Sequence, residues 1–269
     1  METVESVREA FDLSGRTAVV TGAGSGLGRA SAECLAGAGA SVIVADLDRD
    51  AAVQFADALV AAGATARAIH ANVADLSEHE RLAASALDLG GSLDIWVNSA
   101  GIMAEDKVLD LQESDLDDLI AVNLKGTLFG AQVAGRHMAT AGGGSIINMA
   151  SAAMLQPSPR VAAYAMTKAA VVQLTRIMAL ETGKLGIRVN AIAPGFVPTK
   201  MTSRYYVRPD GTEDEVMKQA VLEPMAKFAP LKRVGTPSDI AFAVLYLAAD
   251  ASSFVTGQVL SPNGGMAMH

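Results

Sequence analysis

The chain has 269 residues, 51% hydrophobic and 19% charged. That balance excludes a disordered chain, and the length suffices for one large α/β domain with a core of its own. The formal net charge is −8 with no basic cluster to offset it, which argues against a nucleic-acid partner because an acidic surface repels phosphate backbones.

Short apolar strands alternate with longer helical patterns from the N-terminus onward. Residues 17–20 read as strand, 26–37 as helix, 41–45 as strand, 50–62 as helix, 65–70 as strand and 77–89 as helix. Residues 93–97 make a fourth strand, 145–148 a fifth, 187–192 a sixth and 258–260 a seventh. Between the fourth and sixth strands, residues 116–138 and 161–180 are helical in pattern and rich in Ala, Val, Leu and Met. Each parallel strand pair needs a crossover, so the alternation predicts a parallel sheet, and right-handed crossovers put helices on both of its faces. The near-continuous apolar strands fit a sheet covered on both sides. Residues 198–235 form a long, polar, irregular connection containing Arg204, Arg208 and Glu213-Asp214-Glu215. Such segments often serve as lids, and this one is read as a substrate lid.

Cys34 is the only cysteine, so no intrachain disulfide can form, and His70, His79, His137 and His269 show no metal-ligand spacing. Residues 1–5 lack the basic start and apolar run of a signal peptide. The longest apolar candidate for a membrane span, residues 161–180, contains Lys168, Gln173 and Arg176. The expectation is a cytoplasmic protein that neither enters a membrane nor binds a metal.

Thr21-Gly22-Ala23-Gly24-Ser25-Gly26-Leu27-Gly28 follows the first strand and opens the first long helix. Glycines let a backbone turn sharply and approach a pyrophosphate, whose charge a helix N-terminus favours. Asp46 ends the second strand, where a carboxylate accepts hydrogen bonds from both ribose hydroxyls of NAD and repels a 2′-phosphate. The glycine turn holds no basic residue; Arg49 is the one neighbour that argues the other way. Tyr164 and Lys168 stand four residues apart and share a helix face, thirteen residues after Ser151. Free tyrosine titrates near ~10, and a nearby ammonium stabilises its phenolate. The pair therefore suits an acid/base that moves a proton to or from a substrate oxygen.

With these motifs in place, the chain resembles the short-chain dehydrogenase/reductase family from Gly15 to Gly265. Thr21 to Gly28 matches its glycine motif, Asn98-Ser99-Ala100-Gly101 its Asn-Asn-Ala-Gly, and Asn123, Ser151, Tyr164 and Lys168 its catalytic tetrad. Pro194-Gly195-Phe196-Val197-Pro198-Thr199 resembles the segment that holds the nicotinamide carboxamide. Arg233-Val234-Gly235-Thr236-Pro237 and Asn263-Gly264-Gly265 resemble C-terminal signatures. Asn72, Ser99 and Asn263 depart from the usual residues; of these, Asn72 bears on the adenine contact. The resemblance implies a single Rossmann-type, doubly wound α/β domain over residues 1–269, with a seven-stranded parallel sheet. It implies that Tyr164 is the general acid/base, that Lys168 holds the nicotinamide ribose and tunes Tyr164, that Ser151 binds the substrate oxygen, and that Asn123 holds a relay water. The cofactor contacts it implies are Gly22, Ser25, Gly26, Leu27, Gly28, Asp46, Leu47, Asn72, Val73, Asn98, Ala100, Gly101, Tyr164, Lys168, Pro194, Gly195, Val197 and Thr199.

The expected activity is NAD(H)-dependent interconversion of a secondary alcohol and a ketone. The pocket positions Met103, Met154, Leu155, Phe196 and Met201 favour an apolar small-molecule substrate, with Tyr205 and Tyr206 in the lid. The alternatives are an NADPH-preferring 3-oxoacyl carrier-protein reductase and a cofactor-binding scaffold with little catalysis. Surplus apolar helix surface, at Ala162, Ala169, Val172 and Ile177 among others, predicts a homodimer or homotetramer.

Overall fold

The computed structural model describes residues 6–208 and 210–268. Residues 1–5, read above for a leader, and His269 lie outside the described residues.

Seven strands form one sheet: β1 (Thr17–Thr21), β2 (Ser41–Asp46), β3 (Ala66–His70), β4 (Ile95–Asn98), β5 (Gly144–Met149), β6 (Ile187–Ile192) and β7 (Val259–Leu260). Their order is β3-β2-β1-β4-β5-β6-β7, and every pairing is parallel. The helices are α1 (Val7–Phe11), α2 (Gly26–Gly37), α3 (Arg49–Ala61), α4 (Leu76–Gly90), α5 (Glu113–Leu119), α6 (Gly126–Ala141), α7 (Ala162–Thr182), α8 (Lys200–Ser203), α9 (Glu215–Phe228) and α10 (Pro237–Ala248). None is long and apolar enough to cross a membrane.

Alternate strand residues feed two cores. Ala18, Val20, Val42, Val44, Ile95 and Val97 pack with Leu35 of α2, Phe55 of α3 and Val244 of α10. Val19, Ile43, Trp96 and Ile146 face the other way, toward Leu82 of α4 and Val133 and Met138 of α6. Both faces are therefore dry, which is why these strands read as unbroken apolar runs. The chain winds outward from β1 in one direction and from β4 in the other. This reversal opens a crevice beyond the carboxyl ends of those two strands, where ligands bind in such sheets.

Two predicted features differ. The helix expected over 116–138 is broken into α5 and α6 by a π-helical turn, Ile120–Lys125. A single-turn bulge of this kind has no signature of its own in the apolar pattern over 116–138. The connection 198–235, expected to be irregular, contains α8 and the fourteen-residue α9. Pro224 lies inside α9, and a proline reads as a helix breaker.

Candidate active site

The β1–α2 turn is built for close backbone approach. Gly22 has φ +66, and a Cβ on it would come within 2.7 Å of Ala100 Cα. A Cβ on Gly28 would come within 2.1 Å of the Gly22 carbonyl oxygen. The Thr21 hydroxyl accepts the N–H groups of Ser99 at 3.1 Å and Ala100 at 3.2 Å. The turn and the 98–101 segment are thereby locked side by side over the crevice. Ser25 is the N-cap of α2 yet makes no side-chain cap bond, whereas Asp48, Asp75, Asp214 and Thr236 cap their helices. The first N–H groups of α2, at Gly26, Leu27 and Gly28, are thus left for an anion, and glycine keeps the approach clear. These features fit a dinucleotide pyrophosphate.

Asp46 is anchored beside this turn. Its Oδ2 accepts the Gly24 N–H at 2.8 Å and its Oδ1 the Asp48 N–H at 2.9 Å. A Cβ on Gly24 would lie 3.0 Å from Oδ2, so glycine is what allows the carboxylate so close. Leu47 beyond it is exposed. Asn72 is exposed, and its side chain accepts the Ala74 N–H at 3.1 Å. Val73 is buried against Gly126. Lys200 reaches Asp48 at 3.8 Å, which ties the start of α8 to the loop after β2.

The Asn98 side chain points into the interior, which leaves only its main chain for the expected cofactor contact. It accepts from Trp96 Nε1 at 2.8 Å and donates to Asn148 Oδ1 at 2.9 Å and to the Thr127 carbonyl at 3.3 Å. Asn148 in turn donates to Thr175 of α7 at 2.9 Å. A residue with every polar atom satisfied in the core is a brace between β4, β5, α6 and α7 and has no side-chain group left for a cofactor.

The tetrad residues gather at the carboxyl ends of β4 and β5. Ser151 follows β5, and its hydroxyl accepts the Ala153 N–H at 3.2 Å. Tyr164 and Lys168 lie on α7, with Lys168 Nζ 5.6 Å from the tyrosine ring centroid. The ammonium donates to the Met149 carbonyl at 2.8 Å. Burial lowers Lys168 to about 8, so it stays mostly charged at neutral pH. Burial also raises the Tyr164 phenol, and the adjacent Ser151 hydroxyl pulls the other way. Within the protein alone the shift of Tyr164 is upward, opposite to the expected lowering, because desolvation penalises the phenolate and only the Ser151 hydroxyl opposes it.

Asn123 sits in the π-helical turn and is fully buried. Its amide accepts the Ile102 N–H at 2.9 Å and donates to the Ile102 carbonyl at 3.0 Å and to Thr167 Oγ1 at 3.3 Å. The side chain is thus a clamp between the segment after β4 and α7. Gly101 lies within that clamp: a Cβ there would meet Asn123 Oδ1 at 3.3 Å and Lys168 Nζ at 3.6 Å.

Beyond β6, the Pro194 carbonyl accepts the Ala152 N–H at 2.9 Å, and Gly195 is backed by Asn263, which a Cβ on Gly195 would meet at 2.8 Å. Val197 is buried. Thr199 opens α8 and lies against Gly26. Arg204 donates to the Met103 carbonyl at 3.2 Å and pairs with Glu105 at 3.1 Å, and the Tyr205 hydroxyl also donates to Glu105. Tyr206 is buried, with Lys218 of α9 over its ring. Sequence reasoning missed Glu105, since a lone acidic residue in a loop carries no signal until Arg204 and Tyr205 pack onto it. Thr167, which accepts from Asn123, was missed as well, because its partner lies on another element.

Comparisons with known proteins agree with this geometry. The family profile described as Enoyl-(Acyl carrier protein) reductase matches residues 22–267. The 3-oxoacyl-[acyl-carrier-protein] reductase FabG of Staphylococcus aureus is 37% identical over 254 residues, 94% of this chain and 98% of that protein. A gluconate 5-dehydrogenase from Burkholderia cenocepacia, solved with NADP and tartrate, superposes with a TM-score of 0.88 at 32% identity, covering 96% of this chain and 98% of the other. A 7α-hydroxysteroid dehydrogenase, solved with NADH and 7-oxoglycochenodeoxycholic acid, gives 0.87 at 33% identity, with 97% and 98% covered.

Proposed function

The chain belongs to the short-chain dehydrogenase/reductase family of oxidoreductases acting on CH–OH groups, and from this we propose that it is NAD(H)-dependent and interconverts an apolar secondary alcohol and its ketone. Structural relatives bind either NADP or NADH, so the choice rests on this chain's own residues. The observation that carries the reading is the Asp46 carboxylate, fixed by the N–H groups of Gly24 and Asp48 at the end of β2. A fixed negative charge there accepts from ribose hydroxyls and repels a 2′-phosphate. Arg49 and Lys200 are nearby cations, but both are exposed, where solvent screens them.

The glycine turn and the N-terminus of α2 would hold the pyrophosphate, Asp46 the adenosine ribose, Leu47 and the Asn72–Val73 turn the adenine, and Pro194 to Thr199 the nicotinamide side. The bound cofactor supplies the hydride donor or acceptor. The chain supplies the proton. In ketone reduction the Tyr164 hydroxyl donates to the carbonyl oxygen, and in alcohol oxidation its phenolate takes the hydroxyl proton. The Ser151 hydroxyl donates a hydrogen bond to the same oxygen. Lys168, a buried cation, offsets the desolvation that opposes the phenolate. Asn123 keeps Ile102 and Gly101 in register with α7, and its carbonyl has a second lone pair for a relay water. Met103, Met154, Leu155, Phe196 and Met201 give the substrate an apolar, adaptable wall.

Dissociation constants for NAD and NADP test the cofactor reading, and equal or tighter NADP binding overturns it. Asp46→Ala is expected to erode the preference. A panel of secondary alcohols and ketones, followed by NADH absorbance, tests the substrate class. A second reading, a 3-oxoacyl carrier-protein reductase, draws on the similarity to FabG; turnover of a 3-oxoacyl thioester with NADPH, in preference to every alcohol of the panel, would favour it.

A further inference from the structure

Among the described residues, His79 Nδ1 is the one buried side-chain polar atom without a hydrogen-bond partner. His79 lies on α4 and is fully buried. Its Nε2 is 2.9 Å from the Val73 carbonyl. A carbonyl only accepts, so Nε2 carries the proton and Nδ1 is left with a lone pair. The ring packs against Trp96 at 5.9 Å and edge-on to Phe129 at 6.2 Å. Trp96 Nε1 is engaged with Asn98 and does not satisfy Nδ1. An apolar side chain would fill this cage without stranding a nitrogen. What the imidazole adds is the bond to Val73.

Val73 follows Asn72 just beyond β3, and Ala71 donates its N–H to the Asp46 carbonyl at 2.9 Å, so this turn adjoins the Asp46 end of the crevice. From α6, a Cβ on Gly126 would meet the Val73 oxygen and Cγ2 at 3.0 Å. The turn is thus held by close packing on one side and by His79 on the other. We propose that His79 is a positioning residue for the adenine half of the cofactor site: its Nε2–H fixes the Val73 carbonyl, and with it the Asn72–Val73 wall against which adenine lies. The inference rests on the NAD(H) reading above.

Calorimetric binding of ADP-ribose to the full chain tests it, since this probe lacks the nicotinamide. His79→Leu fills the cage and removes the donor; it is expected to weaken binding about tenfold, the worth of one hydrogen bond. His79→Gln carries an amide nitrogen of similar reach and is expected to restore binding to near the wild-type value. If the leucine variant does not fold, His79→Asn, too short to reach Val73, takes its place with the same expectation. Wild-type protein that fails to bind ADP-ribose removes the cofactor reading and this inference together. Wild-type protein that binds, with leucine or asparagine variants binding equally well, overturns the inference alone. So does a glutamine variant as weak as leucine, which would mean that His79 only fills space.

Discussion

Tyr164 is a poor acid/base in isolation, because burial raises its phenol and only the Ser151 hydroxyl opposes that rise. In the proposed reaction its competence would depend on Lys168, whose ammonium is buried and tied to the Met149 carbonyl. Tyr164→Phe is expected to cut turnover by about 10³-fold, within the range of a lost general acid/base, while cofactor affinity stays near wild type. Substantial single-turnover activity in this variant would remove the assignment. Lys168→Ala is expected to harm both turnover and cofactor binding, and it also strands the Met149 carbonyl. His79 gives a pH signature at the same scale. Burial lowers its pKa, opposed by its bond to Val73 and by Asp75, Glu78 and Glu80. From α6, Arg136 and His137 pair with Glu80. The folded-state pKa lies below the unfolded value of about 6.5, so the unfolded chain takes up the proton first as the pH falls. The stability contribution of His79 is therefore present above about pH 6.5 and is lost as the pH drops below it. Urea unfolding at pH 7 and pH 5 is expected to show a smaller acid loss in His79→Gln; equal losses in both proteins would exclude this titration.

At the scale of elements, the approach of α6 to β4 is set by Gly130. A Cβ there would sit 2.2 Å from Asn98 Oδ1 and 2.6 Å from Trp96 Nε1. Gly130→Ala must therefore displace a hydrogen-bonded pair in the core, at a cost of about 1–3 kcal/mol for overpacking. Thermal unfolding measures it, and an unchanged Tm would show that the core yields freely. The π-helical turn before α6 acts in the same region, presenting Asn123 inward while the flanking helices keep their packing. The 198–235 connection is held differently. Glu105 joins Arg204 and the Tyr205 hydroxyl, and Arg160 donates to the Glu105 carbonyl at 3.2 Å. An isolated exposed ion pair contributes only ~0–1 kcal/mol, but this cluster joins that connection to the loop after β4. Glu105→Ala is expected to raise substrate KM with little change in kcat, because it loosens the pocket wall and leaves the proton-transfer groups in place. A fall in kcat at unchanged KM would mean that Glu105 acts on the chemistry instead.

For the molecule as a whole, the exposed apolar side chains bear on assembly. On α7, Met166, Ile177 and Leu180 are exposed, Leu180 at 86%. Val172, counted with the surplus apolar surface from sequence, is buried in the core instead, since its side chain meets the sheet. Phe242 on α10 and Phe254 beyond it are also exposed. Apolar patches of this kind on separate faces suit closed two-fold contacts, and two such contacts build a tetramer. Light scattering at micromolar protein is expected to give a dimer or tetramer mass, and a monomer mass would overturn this expectation.

The sequence by itself determined the order of strands and helices, the crossover-linked parallel sheet and the candidate acid/base set of Ser151, Tyr164 and Lys168. Those features are local: a period of apolar residues, a glycine turn after a strand, two side chains one helical turn apart. Tertiary structure alone decided which polar residues face the crevice and which brace the core. Asn98 lies within a motif that resembles a cofactor contact, yet its side chain satisfies Trp96, Asn148 and Thr127 inside. Asn123 clamps Ile102 only because a π-helical turn rotates it inward. His79 and Glu105 gain their partners, Val73 and the 198–235 connection, through the docking of α4 onto the sheet and of α8 over the β4 loop. A side chain's partner across elements depends on crossover geometry and close packing, and neither leaves a periodic mark on the chain.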